Sequence, residues 1–209
     1  MGTATRYADA EVHRLDEVVS AWKGTVAATL ETPSVPDFAR RSDRLAYAGR
    51  FARDAYEGHP RATLAHPVAV AALIAEARYP EHVVLAALLH DIVEDTPIEL
   101  DQLSRRFGAD VCALVARLTE DDSIRRYPDR KADLRERAAA SDDNHAAAIF
   151  AADKLASARA LNDDDATIER AKLEHYERTV RAVHEHHPHV PFLAELSDQV
   201  GRLRKRVAQ

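Results

Sequence analysis

Val83-Val84-Leu85-Ala86-Ala87-Leu88-Leu89-His90-Asp91-Ile92-Val93-Glu94-Asp95-Thr96 is the stretch whose reading decides the fold. Its first seven residues are apolar without alternation and rich in Ala and Leu, which favours a buried helix over a half-exposed strand. The run then turns straight into His-Asp and, three residues later, Glu-Asp. Polar groups at the end of a core element are costly to desolvate unless something compensates them. A bound cation is the natural compensation, and nothing in the packing of a helix asks for these residues.

Outward from this run the period stays helical, and no segment shows the sustained alternation of a strand. The sequence therefore predicts an all-α fold. Helices are expected over about 6–30, 37–56, from Pro67 onward with His66 just before the start, and over 81–94. The His66-Pro67 pair is informative because proline favours the first helical position. Thr96-Pro97-Ile98-Glu99 reads as a capping box opening another helix that Gly108 ends. Further helices are expected over 109–118, 130–139, 143–161, 166–186 and 191–207, with a charged loop over 119–129.

The chain has 209 residues, 46% apolar and 31% charged, enough for one well-packed domain. The expected organisation is an N-terminal helical extension over 1–36, a core over 37–186 and a C-terminal helix over 187–209 packing on that core. No apolar run approaches the roughly 18 residues of a membrane span. The first residues lack an apolar signal core and Cys112 is the only cysteine, so a cytoplasmic protein without membrane partners is expected. The net charge of -6 argues against an extended nucleic-acid partner. The basic tail Arg202-Leu203-Arg204-Lys205-Arg206 reads as the solvated face of the last helix, since Val200, Leu203 and Val207 interleave with it. A homo-oligomer is compatible with the sequence, though nothing in it argues for one.

Residues three or four apart on a helix share a face, so His90, Asp91, Glu94 and Asp95 converge on one end of their helix. A divalent cation needs more than two protein ligands. The best further candidates are His66, at a helix start beside an apolar run, and Asp153, inside the apolar Ile149-Phe150-Ala151-Ala152-Asp153-Lys154-Leu155. Two imidazoles and two carboxylates form a mixed nitrogen and oxygen set that suits Mn2+ or Fe2+ better than a closed zinc site.

His66, His90-Asp91 and Asp153, in that order, resemble the HD-domain metal-dependent phosphohydrolases. Ala65-His66-Pro67-Val68-Ala69-Val70-Ala71, the run from Ala86 to Thr96, Phe107-Gly108 and Ala152-Asp153-Lys154-Leu155 are similar to the hydrolase domain of small RelA/SpoT-type (SpoT-homologue) alarmone enzymes. The likeness covers roughly residues 45–180. It implies a multi-helix HD-domain bundle and one metal, usually Mn2+, held by His66, His90, Asp91 and Asp153. It further implies that Glu94 and Asp95 are catalytic, working on a metal-activated water. The implied reaction removes the 3′-pyrophosphate of guanosine tetra- or pentaphosphate (ppGpp, pppGpp).

Two departures from the family fall where the nucleotide is read. The segment before His66 is short, leaving Arg61 as its basic residue, and Ser157 stands where the family commonly has an amide. Lys154, Arg159, Lys172 and Tyr176 occupy positions similar to the family's contacts to phosphate and ribose. Lys154 and Arg159 would equally suit exposed helix faces, and Lys172 and Tyr176, four residues apart, a core edge. Another phosphorylated nucleotide, such as a nucleoside monophosphate or the 2′-phosphate of NADPH, is one alternative substrate. A non-catalytic nucleotide-binding module is the other alternative. The cluster His184, His186, His187 and His189 straddles Pro188 at a helix end and reads as solvated loop.

Overall fold

The computed structural model describes residues 42–57, 64–163 and 168–207. The expected helix over 6–30, the extension over 1–36 and Arg61 lie outside them. The described residues form helices and no strands, as the period predicts: α1 (Asp43–Tyr56), α2 (Ala65–Glu76), α3 (Glu81–Leu89), α4 (Ile92–Asp95), α5 (Leu100–Phe107), α6 (Ala109–Leu118), α7 (Tyr127–Ala139), α8 (His145–Asp163), α9 (Arg170–His186) and α10 (Leu193–Val207). Two compact units divide the chain, one through Val115 and one from Ala116.

In the first unit α2 packs most extensively on α3, and α1 packs on α3 and α4. All seven residues from Val83 to Leu89 are buried, as are Val68, Val70, Ala71, Leu73, Ile74 and Ala75 of α2. Helices apolar on every side are core elements, and each fully buried Leu, Ile or Val here contributes about 1.5–3 kcal/mol. Polar contacts lock the packing. Ser42 accepts from the Leu45 N–H as the N-cap of α1 and donates to Glu81 at 3.2 Å. Arg44 joins Glu81 at 3.2 Å and the Phe107 carbonyl at 3.0 Å.

Several boundaries differ from the sequence reading. α1 runs from Asp43 with Ser42 as its cap, and the first residues of the helix expected over 37–56 lie outside the described ones. His66 lies within the first turn of α2, one residue inside the start instead of before it. The expected helix over 81–94 is interrupted: α3 ends at Leu89, His90 and Asp91 form a turn, and α4 follows. α5 is capped one turn later than expected, by a reciprocal Glu99–Gln102 box. Thr96 is occupied elsewhere, donating to the Ile92 carbonyl at 2.6 Å and accepting from the Ile98 N–H, so it closes α4 instead of opening α5. α7 begins at Tyr127, with Pro128 in its first turn, inside the segment read as loop.

In the second unit α9 packs on α7, α8 and α10, and α8 on α10. The alanines at 146, 147, 148, 151, 152 and 158 of α8 are buried, which lets neighbouring backbones approach closely. Arg137 donates to the carbonyls of Ala116, Arg117 and Thr119 and pairs with Asp133, tying α7 to the end of α6. Leu203 and Val200 are buried on α10 while Arg202, Arg204 and Lys205 are exposed, the solvated face expected of the basic tail. Val207, read as part of the apolar face, is 46% exposed at the final turn.

Candidate metal centre

The turn that breaks the expected 81–94 helix positions the site. His90 is the last residue against the buried α3 face and is only 3% exposed. Its Nδ1 lies 2.8 Å from the Ala87 carbonyl. A carbonyl only accepts, so the proton sits on Nδ1 and the Nε2 lone pair is directed away from the backbone, the tautomer a metal ligand needs. Nε2 lies 3.1 Å from Asp91 Oδ1. A lone pair and a carboxylate oxygen at that distance call for a cation or a proton between them.

His66 reaches the same place from the first turn of α2. Its Nε2 is 3.9 Å from Asp91 Oδ2, and the two imidazole centroids are 5.5 Å apart. One donor atom each from His66, His90 and Asp91 all lie within 4.8 Å of one another. Among the described residues this is the one group of His, Cys, Asp or Glu so arranged.

Glu94 and Asp95 are exposed on α4, and both backbone N–H groups bond to the Asp91 carbonyl, so the two acids are tied directly to the His90-Asp91 turn. Facing them is a residue the sequence reading missed. Tyr56, at the end of α1, is 6% exposed, and its hydroxyl has no hydrogen-bond partner among the described residues. Burial, with Asp91, Asp95 and Glu94 nearby, pushes the phenol well above its ordinary pKa. It therefore stays a neutral donor beside three carboxylates. Its core-facing position was readable from the spacing Leu45, Ala48, Ala52, Tyr56, but its neighbours were not.

The remaining predicted residues belong to the second unit. Asp153 is buried in α8 and ion-paired with Lys154, whose ammonium also lies over the Phe150 ring at 4.9 Å. Tyr176 is 2% exposed, and its phenol is pushed up to about 12, chiefly by burial. Lys172 is exposed and lies over the Tyr176 ring at 5.9 Å. Arg159 is held by Glu195 of α10 at 2.6 Å. Within the histidine cluster, His186 bonds to the Ala182 carbonyl and His187 to that of Ser141, which accounts for them without a metal.

The HD-domain profile matches residues 45–182. The chain belongs to the HD-domain family. HD domains imply a divalent cation, and the His66, His90 and Asp91 donors fit one in chemistry and spacing.

Relatives sharpen the comparison. A guanosine-3′,5′-bis(diphosphate) 3′-pyrophosphohydrolase of Haemophilus influenzae is 44% identical over 78 residues, 35% of this HD-domain chain and 12% of that protein. The enzyme of the same name, MESH1, from Mus musculus is 42% identical over 99 residues, 46% of this chain and 54% of that one. The matched segment thus spans a small fraction of the bacterial relative and about half of the animal one. A solved structure described as a metazoan ortholog of SpoT that hydrolyzes ppGpp superposes with a TM-score of 0.64 at 28% identity, covering 78% of this chain and 96% of the other.

Proposed function

We propose that this HD-domain chain is a metal-dependent phosphohydrolase that removes the 3′-pyrophosphate of guanosine tetra- or pentaphosphate. The observation that carries the reading is the convergence of His66, His90 and Asp91 at a turn followed at once by Glu94 and Asp95. The names of the relatives point to the same reaction. Manganese is the proposed ion, because mixed imidazole and carboxylate donors with open positions suit it. Asp153 is proposed as the fourth ligand on its place in the family's sequence pattern and its burial in α8.

When bound, such a cation acidifies a water and offsets charge growing on phosphoryl oxygens. The chain's own groups do the rest. The Ala87 carbonyl holds the His90 proton on Nδ1 and so orients Nε2. Glu94 and Asp95 take the proton from the attacking water at a carboxylate oxygen and assist the leaving oxygen. Tyr56 offers its O–H as a neutral donor to the same acids or to a phosphoryl oxygen. Lys154 and Lys172 are the proposed phosphate contacts.

A second reading keeps the chemistry and changes the nucleotide. Ser157, with a short hydroxyl where the family commonly has an amide, offers fewer hydrogen bonds to a base, which favours looser base selection. Turnover of a panel containing guanosine tetraphosphate, its adenosine counterpart, NADPH and nucleoside monophosphates, with manganese, separates the two. The expected result is turnover at least tenfold faster for the guanosine substrate, read as pyrophosphate release from the two tetraphosphates and as phosphate release from NADPH and the monophosphates. Equal or faster turnover of another nucleotide overturns the guanosine assignment.

A further inference from the structure

Arg135 is 8% exposed, and among the described residues no carboxylate pairs with it. A buried guanidinium without a counterion is costly. Among the described residues its hydrogen bond is to His175, whose Nδ1 accepts from the guanidinium at 2.8 Å. An arginine only donates, so the His175 proton lies on Nε2. That Nε2–H is buried without a partner, and His175 is itself 4% exposed.

Both side chains line a cleft of about 40 Å³ within the second unit, whose wall also includes Tyr127, Lys131, Glu174 and Arg178. This is room for a small ion, since a single water needs about 10–15 Å³, and too little for a nucleoside. The other charges on the wall are already answered. Lys131 pairs with Glu120, and Glu174 with Arg178 at 3.5 Å and Arg170 at 3.9 Å. One guanidinium without a carboxylate and one buried imidazole N–H without a partner thus belong to the two residues that line this small space. A phosphoryl oxygen pair matches the arginine fork in geometry and charge.

We propose that Arg135 and His175 form a binding site for a phosphoryl oxyanion, with Arg135 supplying the charge and His175 a second donor. The site goes beyond the hydrolase reading and does not depend on it. The oxyanion is either free phosphate or pyrophosphate, or a phosphate borne by a nucleotide.

Calorimetric titration of the metal-free full chain with inorganic phosphate, with pyrophosphate and with guanosine tetraphosphate tests it without any turnover. Saturable binding weakened at least tenfold by Arg135→Met is expected, for the free anions if they are the ligand and for the nucleotide alone if its phosphates are. Without anion, Arg135→Met should melt no lower than the wild type, because an unopposed buried charge has been removed. Absence of saturable binding of all three, or binding unchanged in Arg135→Met, overturns the proposal. Should Arg135→Met fail to fold, the His175 side-chain nitrogen resonances of the wild type decide. A saturable shift of Nε2 with the anion supports the site, and no shift overturns it.

Discussion

Burial drives the His175 imidazole down to a pKa of about 2, with Lys154, Lys131 and Arg135 adding to the effect and Asp153 opposing it. An unfolded histidine titrates near 6.5. Between those values the unfolded chain binds a proton that the folded chain does not, so stability is fully present above about pH 6.5 and falls as the pH drops. The slope this residue adds is about 1.4 kcal/mol per pH unit below that point. Urea unfolding in phosphate-free buffer from pH 7 to 5 should show this loss, and His175→Gln should flatten it. Identical slopes in the two proteins would contradict the assignment. Nothing in the sequence marked this residue, because its neighbours Arg135 and Lys154 become neighbours only through the packing of α7, α8 and α9. His66, His90 and Asp91 were legible because the cost of polar groups in apolar helices can be read without coordinates.

The helices themselves were largely readable, since Pro and Gly punctuate the chain and the apolar period is helical. What escaped was local competition for caps. Thr96 was read as opening α5, yet its hydroxyl is spent on the Ile92 carbonyl. The break at His90-Asp91 escaped for a related reason: the apolar pattern continues into Ile92, and the period alone does not register a turn. Gly108 was read correctly as the end of α5. Its φ of 94° and ψ of 167° lie where residues other than glycine are strained, and no atom lies within 4 Å of where a Cβ would stand. Gly108→Ala therefore isolates a backbone effect and should destabilise the protein by about 1–3 kcal/mol. Denaturant unfolding with an unchanged m-value measures it, and an unchanged midpoint would contradict the strain.

At the scale of the whole chain, the all-α class and membership of the HD-domain family follow from pattern and are matched by the structure and the family profile. No described helix is long and apolar enough to cross a membrane. His66, remote in sequence from the adjacent His90 and Asp91, is brought close to both by the packing of α2 on α3 and the turn after Leu89, so that one donor atom of each lies within 4.8 Å of the others. Residues that name the nucleotide were less legible, because exposed lysines and arginines serve helix faces and phosphates equally well; Arg159, paired with Glu195, illustrates the ambiguity.

Hydrolysis by this chain is expected to depend on an ion held by His66, His90 and Asp91. The most direct test is pyrophosphate release from guanosine tetraphosphate by the full chain, before and after chelation and manganese repletion, beside Asp91→Asn. Turnover should be lost on chelation, recover with manganese, and be at least a hundredfold slower in folded Asp91→Asn under repletion. Turnover that survives chelation, or Asp91→Asn as active as the wild type, would contradict this dependence.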